Sequence, residues 1–495
     1  MLISVQNILG GQLSAIGGQH LEIELPLSKS ESNRALMIAH YAGIQCFDDL
    51  DPLCLGDSVS LSKSDDTVLL QKHLNTLNQY IHNPLSEVQS PLTLELDCHN
   101  AGTVFRFLMT AVANQCIMHN AQFIIDEELS SKQLSNLAIQ QLSILLTGSE
   151  RMKSRPISSL VDALRNLGVA IEYTEKEGFP PILLTVDAVN RQQTIDNRQQ
   201  TLSTTLHSTH STLNSLEISA EQSSQFASSL LLAAPLWKDG LELHLTGNLS
   251  SLPYIDMTIN MMRQCGVDVV RNDRDIIVKP GRYNIENIKV EPDWSAAAFW
   301  YEMVSLSDDA EVLLKNLNIN SLQADATVIK MFESLGVETL PSKEGIVVKK
   351  VNGQQSTVNS QSSTFNSQLL TFNFKNCPDL FPSVIATCAG IKVNATFTGL
   401  KNLSIKESDR KKAMMIELKK INVSFEEISD DELKMICPEE LPFFTEEKPI
   451  IFNNYNDHRI AMALSILSIK IGAIEMKNTE VVSKSYPNFF ETVGY

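Results

Sequence analysis

The residues best suited to chemistry lie in short polar segments, each leading into an apolar stretch. Residues 28–34 read SKSESNR and run into ALMIAHYAG. Lys29 and Arg34 put two cations where a helix dipole is already positive, which is unfavourable unless an anion sits there. In NAGTVFR (100–106), Gly102 would let the backbone approach a ligand closely, and the amides of a helix start would point at it. RMKSRP (151–156) packs three cations into six positions ahead of a helix. Arg151 there could meet a carboxylate or phosphate in bidentate fashion. SAEQSSQ (219–225) opens a helix with hydroxyls and an amide, donors that suit a phosphate without adding charge, and SLPYID (251–256) also precedes a helix. CPDLFP, with Asp379, is followed by KESDR (406–410) and YNDHR (455–459). On a surface those last two would form an ordinary salt-bridge network. In a cleft they supply acid–base groups beside phosphate-binding arginines.

The elements that must position these segments follow a repeated grammar: an amphipathic helix, a tight stop, a strand, a short turn and a second strand. It appears as SLVDALRNLGVAIEYTEKEGFPPILLTV, with the stop at Gly168-Val169. It recurs with stops at Gly266-Val267, Gly336-Val337 and Asn422-Val423. A helix that ends in the left-handed conformation wants Gly, with Asn the second choice, and the β-branched residue after it starts the strand. A looser fifth copy is expected from Asp66 through LTLELD. This grammar differs from a doubly wound sheet, in which each helix leads to one parallel strand. No GxGxxG or GxxxxGK[ST] follows a strand, which argues against dinucleotide and P-loop sites. Residues 190–215 and 352–368 are rich in Gln, Ser, Thr and Asn and read as surface insertions.

With 495 residues the chain is too long for one core, so two large domains are expected. A net charge of −18 argues against nucleic acid as the main partner but leaves room for small anions in a locally positive cleft. No apolar run spans a bilayer, and the N-terminus lacks the basic start of a signal peptide. It reads instead as a first strand and turn. The eight cysteines never form CxxC, so free thiols in the cytoplasm are expected rather than disulfides or a zinc site.

In their order along the chain, the motifs closely resemble those of the 5-enolpyruvylshikimate-3-phosphate synthase family, from about residue 20 to the C-terminus. The resemblance implies an α/β fold of two similar domains, each of three βαβαββ repeats (the enolpyruvyl transferase fold, an inside-out α/β barrel). Residues 27–291 would form the domain on the shikimate 3-phosphate side. Residues 1–26 and 292–495 would form the phosphoenolpyruvate-side domain, with the active site between the two. It further implies transfer of the enolpyruvyl group to the 5-hydroxyl of shikimate 3-phosphate with release of phosphate, by a monomer without metal or cofactor. A UDP-N-acetylglucosamine enolpyruvyl transferase or a catalytically silent homologue are the alternatives. The former usually relies on a cysteine in a mobile loop, a context none of these thiols has.

Carried over by matching motif, Lys29, Asp379 and Glu407 would be catalytic. Asn100, Gly102, Arg151, Arg410, His458, Arg459 and Lys484 would line the phosphoenolpyruvate side. Ser30, Arg34, Ser223, Ser224, Gln225, Ser251, Tyr254, Asn402 and Lys406 would hold shikimate 3-phosphate. The sequence departs from the family pattern where Leu27 and His99 replace the common Gly before SKS and NAGT, and where Phe107 replaces a common Pro. These neighbours bear on the width of the phosphoenolpyruvate pocket but remove no charged residue.

Overall fold

A computed structural model describes residues 1–3, 21–43, 60–82, 93–125, 142–186 and 214–494, apart from 220, 222, 250, 287 and 352–369. The insertion at 352–368 lies outside the described residues, as does that at 190–215 up to residue 213. Asn214 and Ser215, expected to belong to that insertion, instead begin a strand. The chain divides into two compact units: Met1–Lys29, Ser60–Asp65 and Val290–Tyr495 form one, and Ser30–Val59 with Asp66–Lys289 the other.

The chain opens with β1 (Leu2–Ile3), β2 (Leu21–Ile23), α1 (Lys29–Tyr41) and α2 (Asp65–His82). One βαβαββ repeat follows: β3 (Thr93–Asp97), α3 (Gly102–Ile125), β4 (Leu142–Thr147), the short α4 (Glu150–Lys153), α5 (Ser158–Asn166), β5 (Ala170–Tyr173) and β6 (Ile182–Val186). The next comprises β7 (Asn214–Ser219), α6 (Ser224–Ala233), β8 (Leu241–Thr246), α7 (Leu252–Gln264), β9 (Val269–Asn272) and β10 (Asp275–Val278). Another pairs β2 with α8 (Trp294–Leu306), β11 (Glu311–Lys315), α9 (Val328–Glu333), β12 (Val337–Pro341) and β13 (Gly345–Lys350). Then come β14 (Leu370–Asn373), α10 (Phe381–Gly390), β15 (Ala395–Thr398), α11 (Arg410–Lys419), β16 (Ser424–Glu427) and β17 (Glu432–Ile436). The last elements are β18 (Ile450–Phe452), α12 (His458–Ile466) and β19 (Ile474–Met476).

Among the described residues there are four four-stranded sheets, and they share one topology. In each, the first strand of the repeat pairs parallel with the second, the second antiparallel with the fourth, and the fourth antiparallel with the third. A helix must intervene wherever the pairing is parallel, while the antiparallel hairpin needs only a turn. In the fifth sheet β18 pairs parallel with β19, and β1 takes the place of the fourth strand. The N-terminus thus closes a repeat that begins near the C-terminus. The protein is therefore α/β and built from βαβαββ units. The expected copy ending in LTLELD is a correction: β3 has β4 as its parallel partner, so it opens a repeat instead of closing one.

The helix-to-strand joints adopt the backbone their residues suggest. Gly168, Gly266 and Gly336 have φ between +80 and +86, and Asn422 has φ +66. Ahead of the first joint, Leu160, Val161, Ala163 and Leu164 turn inward from α5, the 3–4 spacing of one helix face. In the first unit the same logic gathers Phe372, Phe374, Phe381 and Phe397 into ring contacts beneath α10. Buried Trp300 donates its indole N–H to Tyr486.

A Cβ added at Gly168 would meet nothing within 4 Å, so only backbone strain opposes it. Gly168→Ala should therefore lower stability by about 1–2 kcal/mol, read as a shift in the urea midpoint at unchanged slope. No shift would show that this joint does not depend on the left-handed turn.

Candidate active site

In the first unit most expected site residues stand at helix entrances. Asp379 lies in a 3₁₀ turn, Pro378–Leu380, directly before α10. Asn402 belongs to the 3₁₀ helix Lys401–Ile405. Lys406 and Glu407 follow it, ahead of α11, whose first residue is Arg410. His458 and Arg459 open α12, and Lys484 ends the 3₁₀ helix Thr479–Lys484. Asp409 and Asp457 cap α11 and α12 by accepting from the amides of Lys412 and Arg459. The acid–base motifs are thus helix starts first, and their charges converge because the starts do.

The guanidinium of Arg410, only 1% exposed, joins three carboxylates. Its Nη1 donates to Asp379 Oδ1 at 2.7 Å, its Nη2 to Glu407 Oε2 at 3.0 Å and its Nε to Asp457 Oδ2 at 2.8 Å. Other cations compensate the excess negative charge. Arg459 Nη2 donates to Asp379 Oδ2 at 2.9 Å, Lys406 Nζ lies 3.6 Å from Asp379 Oδ1, and Lys484 Nζ lies 3.5 Å from Glu407 Oε1. Ser408 Oγ donates to Asp457 Oδ2 at 3.0 Å. Burial pushes the carboxyl of Asp379 up, but Arg459, Lys406 and Arg410 outweigh it and hold the group well below the usual carboxylate range. Burial tends to depress Arg410, but Asp457, Glu407 and Asp379 raise it above its ordinary value. Both partners stay ionised.

His458 behaves differently. Burial, then the charges of Lys29 and Arg459, hold it well below the ordinary histidine range, so the ring is neutral. Among the described residues, neither ring nitrogen has a hydrogen-bond partner. Lys29 starts α1 where Asp293, the cap of α8, accepts its backbone N–H at 3.4 Å.

In the second unit Arg34 is the fixed cation. It is 2% exposed, and its acceptors are neutral oxygens: Thr258 Oγ1 at 2.7 Å, the Ser30 carbonyl at 2.8 Å, the Tyr254 carbonyl at 3.1 Å and Ser228 Oγ at 3.4 Å. Phe107, one of the departures from the family pattern, lies under its guanidinium at 5.8 Å. Burial lowers Arg34 to about 10, with Tyr254 and Glu31 opposing, so it remains charged at neutral pH. Ser223 caps α6 through the amide of Gln225, and Ser224 is the first residue of that helix. The Gln225 side chain bridges Arg106 Nη1 and Thr103 Oγ1, both at 2.7 Å. Ser251 stands at φ +56 before α7, and its carbonyl accepts the amide of Tyr254. His99 takes φ +47, the region glycine enters freely, immediately before Asn100 and Gly102.

The structure shows what crowds Gly102. A Cβ there would lie 2.4 Å from Arg155 Nη1 and 2.6 Å from Arg106 Nη1, so the missing side chain makes room for two guanidiniums. Within RMKSRP, Arg155 is the buried arginine and Arg151 is half-buried on α4. Arg106 and Arg155 stand in the motifs NAGTVFR and RMKSRP but lie outside the expected site residues. So does Asp457, although an Asp two residues before Arg459 is a readable cap signal. Asp325 carries no local signal at all. It lies in the short 3₁₀ helix Ala324–Thr327, yet is 3% exposed and accepts a hydrogen bond from Ser295 Oγ.

Burial and then the charge of Asp379 raise the carboxyl of Asp325 to about 7, opposed by Arg459 and the Ser295 hydroxyl. A carboxyl raised on folding contributes stability below its unfolded value and loses it as pH climbs toward its folded value. Wild type should therefore lose stability relative to Asp325→Asn between about pH 4 and 7, by up to ~1.4 kcal/mol per pH unit. Urea midpoints of both proteins at pH 5 and 7 check this, and a constant difference would refute it.

The family model of EPSP synthase (3-phosphoshikimate 1-carboxyvinyltransferase) matches residues 14–493. A 3-phosphoshikimate 1-carboxyvinyltransferase of Bacteroides fragilis is 33% identical over 490 residues, covering 97% of this chain and 96% of the relative. One from Vibrio vulnificus is 28% identical over 492 residues, covering 96% and 95%. The solved EPSP synthase of Acinetobacter baumannii shares the fold, with a TM-score of 0.58 at 20% identity over 97% of this chain and 96% of that one. With the βαβαββ repeats and the motif order, these likenesses establish that the chain belongs to the 5-enolpyruvylshikimate-3-phosphate synthase family of enolpyruvyl transferases.

Proposed function

We propose that the chain joins phosphoenolpyruvate to the 5-hydroxyl of shikimate 3-phosphate by addition and elimination, through the residues described above. The observation that carries this reading is the buried set around Arg410, where cations and ionised acids are fixed together by helix starts. Such a preorganised field suits a polyanionic reaction, because its dipoles and charges need not reorganise as charge develops. Lys29, Arg410, Arg459 and Lys484 bind the carboxylate and phosphate of phosphoenolpyruvate, with Arg151, Asn100, Gly102 and the neutral His458 on the same side. Ser223, Ser224 and Gln225 offer neutral donors to the phosphate of shikimate 3-phosphate. Ser30, Arg34, Ser251, Tyr254, Asn402 and Lys406 hold the rest of that substrate.

In the first step the 5-hydroxyl oxygen bonds to C2 of phosphoenolpyruvate while its proton passes to Asp379 or Lys29. C3 takes a proton from the carboxyl form of Glu407 and becomes a methyl group, leaving the carboxylate that Arg410 and Lys484 flank. In the second step the phosphate leaves C2 with the electron pair of its C–O bond and takes up the proton held by Asp379 or Lys29, while a proton returns from C3 to the Glu407 carboxylate, giving the enolpyruvyl ether. The cationic neighbours of Asp379 keep it ionised and able to accept, and by lowering its basicity they let it pass the proton on. Lys484 and Arg410 flank the Glu407 carboxylate and keep it oriented at C3. The reading makes the protein a cytoplasmic monomer of aromatic amino acid biosynthesis. Among the described residues, no helix is long and apolar enough to cross a membrane.

Purified protein should release phosphate only when both substrates are present, and UDP-N-acetylglucosamine should not replace shikimate 3-phosphate. Folded protein that releases none would refute the assignment. Glu407→Gln should slow turnover by roughly 10²-fold or more while shikimate 3-phosphate still binds in calorimetry. Full activity in that variant would remove Glu407 from the proton path.

A further inference from the structure

The segment between β18 and α12 makes a turn that its residues do not favour by themselves. Tyr455 and Asn456 both stand in the left-handed region, at φ +55 and +54. Asparagine enters that region readily, but a bulky tyrosine there is strained and persists only when its surroundings over-determine it. Part of the hold comes from Asn454. Its Oδ1 accepts the Asn456 amide at 3.0 Å, and its Nδ2 donates to the carbonyls of Lys477 and Asn478 at 2.7 and 3.0 Å.

The rest comes from Glu417 on α11, whose carboxylate is fully buried. Its Oε2 accepts the Asn453 amide at 2.9 Å and Lys420 Nζ at 2.6 Å, and its Oε1 accepts the Tyr455 hydroxyl at 2.7 Å. A buried carboxylate is tolerated only with such partners. Glu417 stands seven residues beyond Arg410, two helical turns along the same face. Arg410 binds Asp457, so a single helix face grips residues 453 and 455 through Glu417 and residue 457 through Arg410. Two residues further on, Arg459 reaches Asp379.

We infer that Glu417 is a positioning residue for the reaction: it locks the left-handed turn at Tyr455 and Asn456, and thereby sets Arg459 against Asp379. This rests on the proposed role of Arg459 in holding phosphoenolpyruvate. Glu417 touches neither the reacting atoms nor the carboxylates around Arg410. It acts through the turn alone, and a displacement on the order of 1 Å at a binding group is enough to cost up to ~10²-fold in rate.

The test begins with wild type, whose failure to release phosphate from both substrates would count against the reaction rather than against Glu417. With wild type active, Glu417→Ala should raise KM for phosphoenolpyruvate about tenfold or more and leave shikimate 3-phosphate affinity unchanged. A merely structural loss would reduce the folded fraction, which lowers apparent kcat and leaves KM where it was. Adding Tyr455→Gly relieves the strained position, so the double variant should recover at least about threefold of the lost KM. A KM for phosphoenolpyruvate within about twofold of wild type in Glu417→Ala overturns the inference, as does a raised KM that Tyr455→Gly does not lower. Should Glu417→Ala not fold, Tyr455→Phe removes only the hydroxyl that donates to Glu417. It should raise the same KM about threefold, and an unchanged value would again overturn the inference.

Discussion

One guanidinium organises the first unit. Arg410 meets Asp379 from the turn before α10, Glu407 from the loop before α11 and Asp457 from the cap of α12. Without the cation, three carboxylates would face each other away from water, an arrangement worth several kcal/mol of penalty. With it, they become a fixed frame onto which Arg459, Lys406 and Lys484 add further positive charge. Buried ion pairs are poor evidence of stability, but they select one geometry strongly, because every displaced partner leaves an uncompensated charge. That selectivity is what a site for two anions requires.

The second unit solves a related problem by different means. Arg34 is as buried as Arg410, yet its hydrogen bonds go to hydroxyls and carbonyls, not to carboxylates. Its charge is therefore held in place without being neutralised by a bonded acid. Arg106 is fixed in a similar way by the amide of Gln225, which Thr103 orients in turn. The first unit offers mixed acids and bases, suited to moving protons. The second offers neutral donors and a cation whose hydrogen bonds go to neutral oxygens, suited to holding a phosphate.

Both units rest on the same construction. Each βαβαββ repeat places helix starts after the first and second strands, and the polar motifs sit at those starts. Exposed amide N–H groups at a helix start favour anions before any side chain is considered. The repeat therefore predisposes many positions to anion binding, and side-chain chemistry then selects among them.

Much of this was legible from residue types alone. The stops at Gly168, Gly266, Gly336 and Asn422 announce left-handed helix ends, because only those residues enter that region cheaply, and the structure has them there. The motifs announce helix starts, because Ser, Asp and Asn compete for the first free amides. Family membership was legible too, since it depends on motif order, a property of the chain itself. What the sequence left open is long-range. That β3 opens a repeat depends on its partner β4, and β1 closes the last sheet beside a strand from the other end of the chain. The close approach of Arg155 to Gly102 needs the turn after α4 packed against the start of α3. Asp325 and Glu417 look like ordinary acids in the chain, and only burial against Ser295 and Tyr455 makes them matter. Local backbone preference is written residue by residue, whereas desolvation and charge pairing exist only once distant segments have packed.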